Sequence, residues 1–434
     1  MRILLITTFY PPHIIGGWEQ VVEECNAALK ARSHVTHVLT STHGVQGPAH
    51  EPGIDRVLTL EADLDHYKPA SLLTYRGRVE NNLQATRKVI RSFNPDVVFV
   101  HIMWNLTRGI PWLAEQMCPG RVMYYVADHW PWVEDPHEQY WKDRAIRPVR
   151  GFAKRLLGLM ALRWIRGCNR SFRLRFERVL CVSHAVRNEL VEKAGLNPAN
   201  LHVVYNGIDI ERFYRECTPR PLERRLSLLY AGSLVWHKGV HTAIDAMNVL
   251  RRTGQDAGTH LTIIGSGHPD YERQLRRQVI KHGLERHVEF RPRVSRDELA
   301  DLLPSFDALV FPSTWEEPLA RITQEAMASG LVVIGTSTGG TREILKNGET
   351  GLTFRPGDTE GLAHQIVHLR TEPGLYLGLA RQGQAFIVEK CDLRRMSAEI
   401  EAHLESFVSA PSRKHVSPPD ESRPKTFFTA DALQ

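Results

Sequence analysis

Residues 309–330 read LVFPSTWEEPLARITQEAMASG: an apolar run closed by a proline, a polar bend with two adjacent glutamates, then a helical pattern that stops at Gly330. A second apolar run, 332–336, follows at once. Strand, polar turn, helix and strand make a βαβ unit, and strands this continuously apolar are those buried on both faces of a parallel sheet. Outward from this unit the second half repeats the alternation. Strands are predicted at 228–233, 261–265, 288–291, 309–312, 332–336 and 352–354, with helical patterns at 239–252, 271–282, 296–303, 323–329 and 358–370. The first half does the same, with strands predicted at 3–8, 35–40, 57–60, 97–102, 122–128, 179–183 and 203–205 and helices such as 21–31 and 79–93. The chain reads as α/β, two doubly wound domains facing across a cleft, where ligands of such sheets bind.

The expected boundaries are a first domain at 1–205, a polar, proline-containing linker at 206–225 (Thr218-Pro219-Arg220-Pro221), and a second domain at 226–385. After about 375 the pattern is purely helical to 408, and 409–434, with four prolines and few aliphatics, is expected to be a disordered tail.

The 434 residues are 42% hydrophobic and 24% charged, enough apolar material for real cores, which excludes wholesale disorder. No apolar run approaches the ~20 residues of a bilayer span. The opening apolar run is short and is stopped by Pro11-Pro12, so it reads as a strand rather than a secretion signal. Six scattered cysteines without a C-x-x-C pair argue against a disulfide framework or zinc site and fit a reducing, cytoplasmic setting. The net charge of +6 is unevenly placed. Residues 1–205 carry 26 Lys/Arg against 19 Asp/Glu, and 142–178 alone carry 12 against 2.

Three strand-to-helix turns carry chemistry. Tyr10-Pro11-Pro12-His13-Ile14-Ile15-Gly16-Gly17 ends in a glycine pair that lets backbone approach a ligand at a helix N-terminus, a setting that favours phosphate. Gly232-Ser233 with Lys238-Gly239 places a cation where it can meet a diphosphate. The quoted block puts Glu317 at a strand's carboxyl edge and Glu325 on the next helix. Ionised carboxylates are pure acceptors, suited to paired sugar hydroxyls. Two glutamates simply exposed on a helix would not explain the apolar, proline-bounded setting.

Taken in order with Pro95-Asp96-Val97-Val98, Asn206-Gly207-Ile208-Asp209, Ile264-Gly265-Ser266-Gly267 and Gly339-Gly340 with Glu343, these blocks resemble glycosyltransferase family 4 from residue 2 to about 370. That family comprises retaining, nucleotide-sugar-dependent enzymes of the GT-B fold. The resemblance implies that Glu325 binds ribose hydroxyls, that Glu317 binds the transferred sugar, and that Lys238 and the backbone at Gly16 and Gly17 contact the diphosphate. The N–H groups of Leu319, Ala320 and Arg321 would line the sugar and phosphate pocket, with Gly232, Ser233 and Gly265 beside it. Arg293 and Val294 would meet the base. The late helices, 386–408, would cross back onto the first domain. Two positions depart from the family pattern. Ser233 replaces a frequent Arg, so Arg321 or Arg342 would have to supply the lost cation. In Val126-Ala127-Asp128-His129-Trp130, Ala127 stands where a His is common, and either His129 supplies that group or the role does not exist here. Asp128 and His129 are the catalytic candidates of this half.

A catalytic metal is not expected. Asp63-Leu64-Asp65 has Asp-x-Asp spacing but lies in a polar loop, and Asp135, His137 and Glu138 read as solvated loop residues. The basic segment 142–178 mixes arginines with Leu, Met and Trp, which fits contact with an anionic membrane surface or acceptor, or a helix with solvated arginines; nucleic acid ranks last, for want of a base-reading module. Acceptor or membrane contact is expected at His101, Trp130, Arg155 and Arg163. The functional expectation is transfer of a sugar from a nucleotide-diphosphate-sugar to a hydroxyl of a saccharide, lipid-linked or small-molecule acceptor, in the cytoplasm and peripherally at the inner membrane face. A sugar phosphorylase on the same fold, or an inactive homologue that binds a partner, stays open.

Overall fold

The computed structural model describes residues 1–45, 50–64, 67–142, 148–220, 225–372 and 374–408, so the expected tail at 409–434 lies outside the described residues, as does Asp65. The chain divides into two compact units.

The first unit comprises Met1–Cys181, Arg187–Val203 and the described residues from Ser397. Its strands are β1 (Arg2–Ile6), β2 (Val35–Ser41), β3 (His50–Glu51), β4 (Ile54–Leu58), β5 (Val97–Val100), β6 (Val122–Val126), β7 (Val179–Cys181) and β8 (Leu201–Val203). They lie in the order β3-β4-β2-β1-β5-β6-β7-β8, parallel except for the β3–β4 pair. Sequence order runs outward from β1 on one side and resumes at β5 on the other, so the switch point falls between β1 and β5. Ile3, Leu4, Leu5 and Ile6 are all fully buried, as a central strand with both faces covered requires.

The second unit comprises Val182–Val186 and Val204–Met396. Strands β9 (Leu226–Ala231), β10 (Thr259–Ile264), β11 (Val288–Arg291), β12 (Ala308–Phe311), β13 (Val332–Thr336) and β14 (Leu352–Phe354) form an all-parallel sheet in the order β11-β10-β9-β12-β13-β14. Its switch point lies between β9 and β12, the two strands that carry the Lys238 and Glu317 turns.

Two boundaries differ from the sequence expectation. The stretch read as a linker is part of the second unit: Ile208 pairs with Asp392, and Phe213 and Cys217 are buried, Cys217 within the main apolar cluster. Its polar composition hides the inward-facing apolar residues Ile208, Phe213 and Cys217 among more polar neighbours. The last helix is Leu393–Val408, and it joins the first unit from Ser397 rather than from 386. There Glu401 pairs with His34 and Arg32, and the Arg178 guanidinium donates to the His403 carbonyl.

Candidate functional site

The loops that leave β9 and β12 are tied together at the switch point. The Thr314 N–H donates to the His237 carbonyl at 2.8 Å, and the Ser313 hydroxyl donates to the same oxygen at 3.3 Å. Gly239 sits at φ +69°, where a Cβ would come within 2.0 Å of the Pro312 carbonyl oxygen, so only glycine permits this approach. The result places Lys238 Nζ 2.5 Å from Glu317 Oε1, which also accepts the Ser313 hydroxyl at 2.7 Å. Glu317 is 6% exposed and Glu325 5%, which rejects the alternative of two solvated glutamates. A buried carboxylate must be paired. Glu325 lies on the helix Arg321–Ala328 with the guanidinium groups of Arg296 and Arg321 at 3.4 and 3.6 Å.

A third loop, after β13, closes on the same segment. Thr338 donates its hydroxyl to the Trp315 carbonyl at 2.8 Å, and the Gly340 N–H donates to the Glu317 carbonyl at 2.7 Å. The Glu316 carboxylate accepts the Gly339 N–H and lies 3.3 Å from the Arg342 guanidinium. Arg321 and Arg342, the two cations considered as replacements at Ser233, therefore sit beside Glu325 and Glu316 respectively. Ser233 itself is exposed, and its carbonyl accepts the Tyr230 hydroxyl. Glu343 has a structural partner: its carboxylate accepts the N–H groups of His184 and Ala185 at the start of a helix.

Beside the switch loops lies a cavity of about 250 Å³ lined by Leu234, Gly265, Ser266, Arg276, Phe290 and Arg293, among others. Gly265 is a required glycine, since a Cβ there would fall 1.9 Å from the Gly232 carbonyl oxygen. The Arg276 guanidinium lies over the Phe290 ring at 4.6 Å. A cavity with one aromatic wall, the guanidinium groups of Arg276, Arg291 and Arg293 and the Glu272 carboxylate can hold a flat, polar-edged ring. Gly265 and Arg293 were expected here; Phe290 and Arg276 were not, since nothing in their local sequence marks them. Val294 is half-buried next in chain.

In the first unit Gly16 and Gly17 precede the helix Trp18–Ala31, with Gly17 as its N-cap. The Gly16 N–H donates to the Glu19 carboxylate at 3.0 Å, an intramolecular anion where a phosphate is expected. His101 is fully buried, in ring contact with Phe99, Trp18 and Tyr125, and burial lowers its pKa to about 3. His129 Nδ1 lies 3.4 Å from Glu189, and its ring packs edge-on against Trp132. Trp130 is buried against Tyr124 and Phe176.

Burial pushes the Asp128 carboxyl up to about 7, and its enclosed Oδ1 has no hydrogen-bond partner among the described residues. An unfolded Asp titrates near ~3.9, so between pH 4 and 7 the native state holds more protons and stability falls as pH rises. Asp128→Asn is therefore expected to melt with wild type at pH 4 and several °C above it at pH 8, on the scale of ~2–4 °C per kcal/mol. Thermal unfolding across that range checks this; a pH-independent difference would rule out titration of Asp128 in the window.

The residues considered for metal have other partners. Asp63 pairs with Lys68, Asp135 accepts the Glu138 N–H, His137 Nδ1 meets the Tyr67 hydroxyl at 2.7 Å, and Glu138 accepts from Arg166. The helix Pro136–Lys142 ends where the basic segment begins, and the segment itself forms a second helix, Pro148–Asn169. Ile165 of the second packs into a cluster with Tyr75, Leu113 and Phe172, while Arg163 is exposed. The side chain of Arg155 lies outside the described residues.

Comparison with known proteins covers both units. Residues 15–212 match the family model Glycosyltransferase Family 4, and residues 218–385 match Glycosyl transferases group 1. Glycogen synthase of Mycobacterium tuberculosis is 29% identical over 405 residues, 90% of this chain and 91% of that protein. Among solved structures, a glycosyltransferase from Rickettsia africae ESF-5 superposes with a TM-score of 0.71 at 16% identity, covering 94% of this chain and 99% of its own. Anabaena Alr3699/HepE, solved in complex with UDP, superposes with a TM-score of 0.66 at 19% identity, covering 94% and 100%.

Proposed function

Since the chain belongs to glycosyltransferase family 4, retaining enzymes of the GT-B fold that take a sugar from a nucleotide-sugar donor, we propose that the donor is a nucleoside diphosphate sugar bound at the β9–β12 switch point and that residues of the first unit hold the acceptor. The observation that carries this reading is the Lys238–Glu317–Ser313 constellation, with its carboxylate and hydroxyl buried and Glu325 one helix turn beyond the loop. In the reaction the bond from the anomeric carbon to the diphosphate oxygen breaks, the acceptor oxygen bonds to that carbon, and the hydroxyl proton is released. The departing diphosphate gains negative charge, which Lys238 and the N-terminus of the helix Arg321–Ala328 are placed to stabilise. Glu317 accepts from the sugar hydroxyls and Glu325 from the ribose. The cavity lined by Phe290 and Arg293 receives the base.

The experiment is thermal stabilisation by UDP, GDP, ADP and TDP, each alone and with an attached sugar. A ligand bound only by the folded state raises the melting temperature by mass action. One nucleotide is expected to stand out, as UDP does by its presence in the Anabaena structure. No shift with any of the four would overturn the donor assignment.

A membrane-side acceptor is favoured by the helix Pro148–Asn169. Its Leu157, Leu159 and Met160 are 52%, 68% and 58% exposed, and Arg163 and Arg166 are exposed beside them. Apolar side chains among exposed arginines bind at an anionic lipid interface, the first by burial and the second by attraction to headgroups. Among the described residues no helix is long and apolar enough to cross a membrane. The protein is expected to float with phosphatidylglycerol-containing vesicles and not with phosphatidylcholine alone. Replacing Leu157, Leu159 and Met160 together by Ser should abolish flotation; flotation unchanged by that replacement would remove the helix from the contact.

A further inference from the structure

At the carboxyl edge of the first sheet, the turn after β5 presents an indole that packing does not require. Its backbone is held from several directions. The Thr8 hydroxyl donates to the carbonyls of Trp104 at 2.9 Å and Ile102 at 3.0 Å. Asn105, at φ +58°, exchanges side-chain hydrogen bonds with the Ala62 backbone at 2.9 and 2.7 Å, and its carbonyl accepts the Glu61 N–H at 3.0 Å. On this pinned turn Trp104 is 42% exposed, although tryptophan has the most to gain from burial. An aromatic face held out by a rigid backbone is a preorganised contact surface.

The neighbours of Trp104 extend that surface. Its ring centroid is 6.4 Å from Phe9, which meets His13 edge-on at 5.2 Å and His43 at 6.0 Å, and the two imidazoles pack edge to face at 5.3 Å. The His13 position depends on Gly44, at φ +72°, where a Cβ would stand 2.1 Å from Nδ1. His13 Nε2 is enclosed with no hydrogen-bond partner among the described residues. Burial, and then the neighbouring His43, hold the His13 pKa below its ordinary value.

We propose that this platform binds a pyranose ring of a saccharide acceptor, its C–H face against the indole of Trp104 and its hydroxyls toward the exposed His43 imidazole, which His13 packs behind. The inference rests on the transferase reading for the word acceptor alone. The negative face of an aromatic ring attracts the weakly positive C–H groups of a sugar, and an imidazole at the edge matches hydroxyls as donor and acceptor. Phe9, His13, His43 and Trp104 include no lysine or arginine, which favours a neutral ring over a phosphate. The position, at the carboxyl ends of β1, β2 and β5, is where open α/β sheets bind ligands.

Saturation-transfer NMR with maltotriose, cellotriose and chitotriose at millimolar concentration tests the assignment. Wild type is expected to transfer saturation to the ring protons of at least one of them. Trp104→Ala should weaken that sugar by ~10-fold or more, while Trp104→Phe retains most of the affinity. Equal binding by Trp104→Ala, or no binding of any of the three by wild type, would overturn the proposal. Thermal stabilisation by the nucleotide sugar, read in parallel on each variant, should be unchanged, which also shows that the variants are folded. Sugar binding through Trp104 without any nucleotide shift would keep the platform and sink the transferase reading; a nucleotide shift without sugar binding would do the reverse.

Discussion

Glu317→Ala is expected to lower sugar transfer by at least ~10²–10³-fold, the scale seen when one preorganised electrostatic partner of a transition state is removed, while nucleotide binding stays within a few-fold of wild type. The separation follows from where the contacts lie. Glu317 is joined to Lys238 and Ser313 at the switch point, whereas the cavity lined by Phe290, Arg276 and Arg293 and the carboxylate of Glu325 are built from other turns. Removing the carboxylate takes away the acceptor for sugar hydroxyls and also leaves the Lys238 ammonium, only partly exposed, without its partner. Glu317→Gln keeps the shape and one acceptor, so it should recover part of the loss; the difference between the two variants isolates the charge. Turnover of a nucleotide sugar together with calorimetric affinity for the nucleotide reads both effects. Wild-type turnover by Glu317→Ala would remove Glu317 from the mechanism. Nucleotide affinity lost in parallel with turnover would mean that the carboxylate organises the whole site rather than the sugar end.

The parts of this site that are legible in the sequence are those set by local chemistry. A glutamate after an apolar strand, a second on the following helix and a Lys-Gly pair at another strand end are each visible within one βαβ unit, and the alternation of strands then places them at the switch point. Contacts between units distant in sequence are not visible in this way. Phe290 and Arg276 form a cavity wall only because the helix Pro269–His282 brings the Arg276 guanidinium over the ring of Phe290 on β11. Glu316 reads as redundant beside Glu317 until the loop after β13 brings Gly339 to it. Ser313 reads as an ordinary loop serine, yet its hydroxyl bridges His237 and Glu317. The misread linker has the opposite cause: average composition over 206–225 is polar, but Ile208 and Phe213 face inward, and burial is decided residue by residue. Trp104, one aromatic residue in a turn, carries no signal until its exposure and its pinned backbone are known.

Gly340→Ala should be the most damaging substitution of a residue that carries no functional group. Its φ of −69° suits any amino acid, so the constraint is space alone. A Cβ would stand 1.8 Å from the Pro318 carbonyl oxygen and 2.7 Å from Ser183 Cβ. The Pro318 carbonyl cannot yield without moving the site, because Pro318 follows Glu317 directly and the Gly340 N–H is bonded to the Glu317 carbonyl at 2.7 Å. The same loop is tied to that segment at Thr336, which donates to the Ser313 carbonyl, and at Thr338, which donates to Trp315. Overpacking of this kind costs about 1–3 kcal/mol, and a shift of ~1 Å at the reacting groups can cost ~10²-fold in rate. The expected result is a folded protein with a lowered melting temperature and turnover reduced by about that factor. Gly378→Ala supplies the control: it lies within the helix Leu375–Lys390 with nothing within 4 Å of its Cβ position, so the better helix former should stabilise by about 0.5–1 kcal/mol and leave turnover alone. Wild-type turnover by Gly340→Ala would show that the loop after β13 can retreat without taking Glu317 with it, and that the geometry around Lys238 is held by the β9 and β12 turns alone.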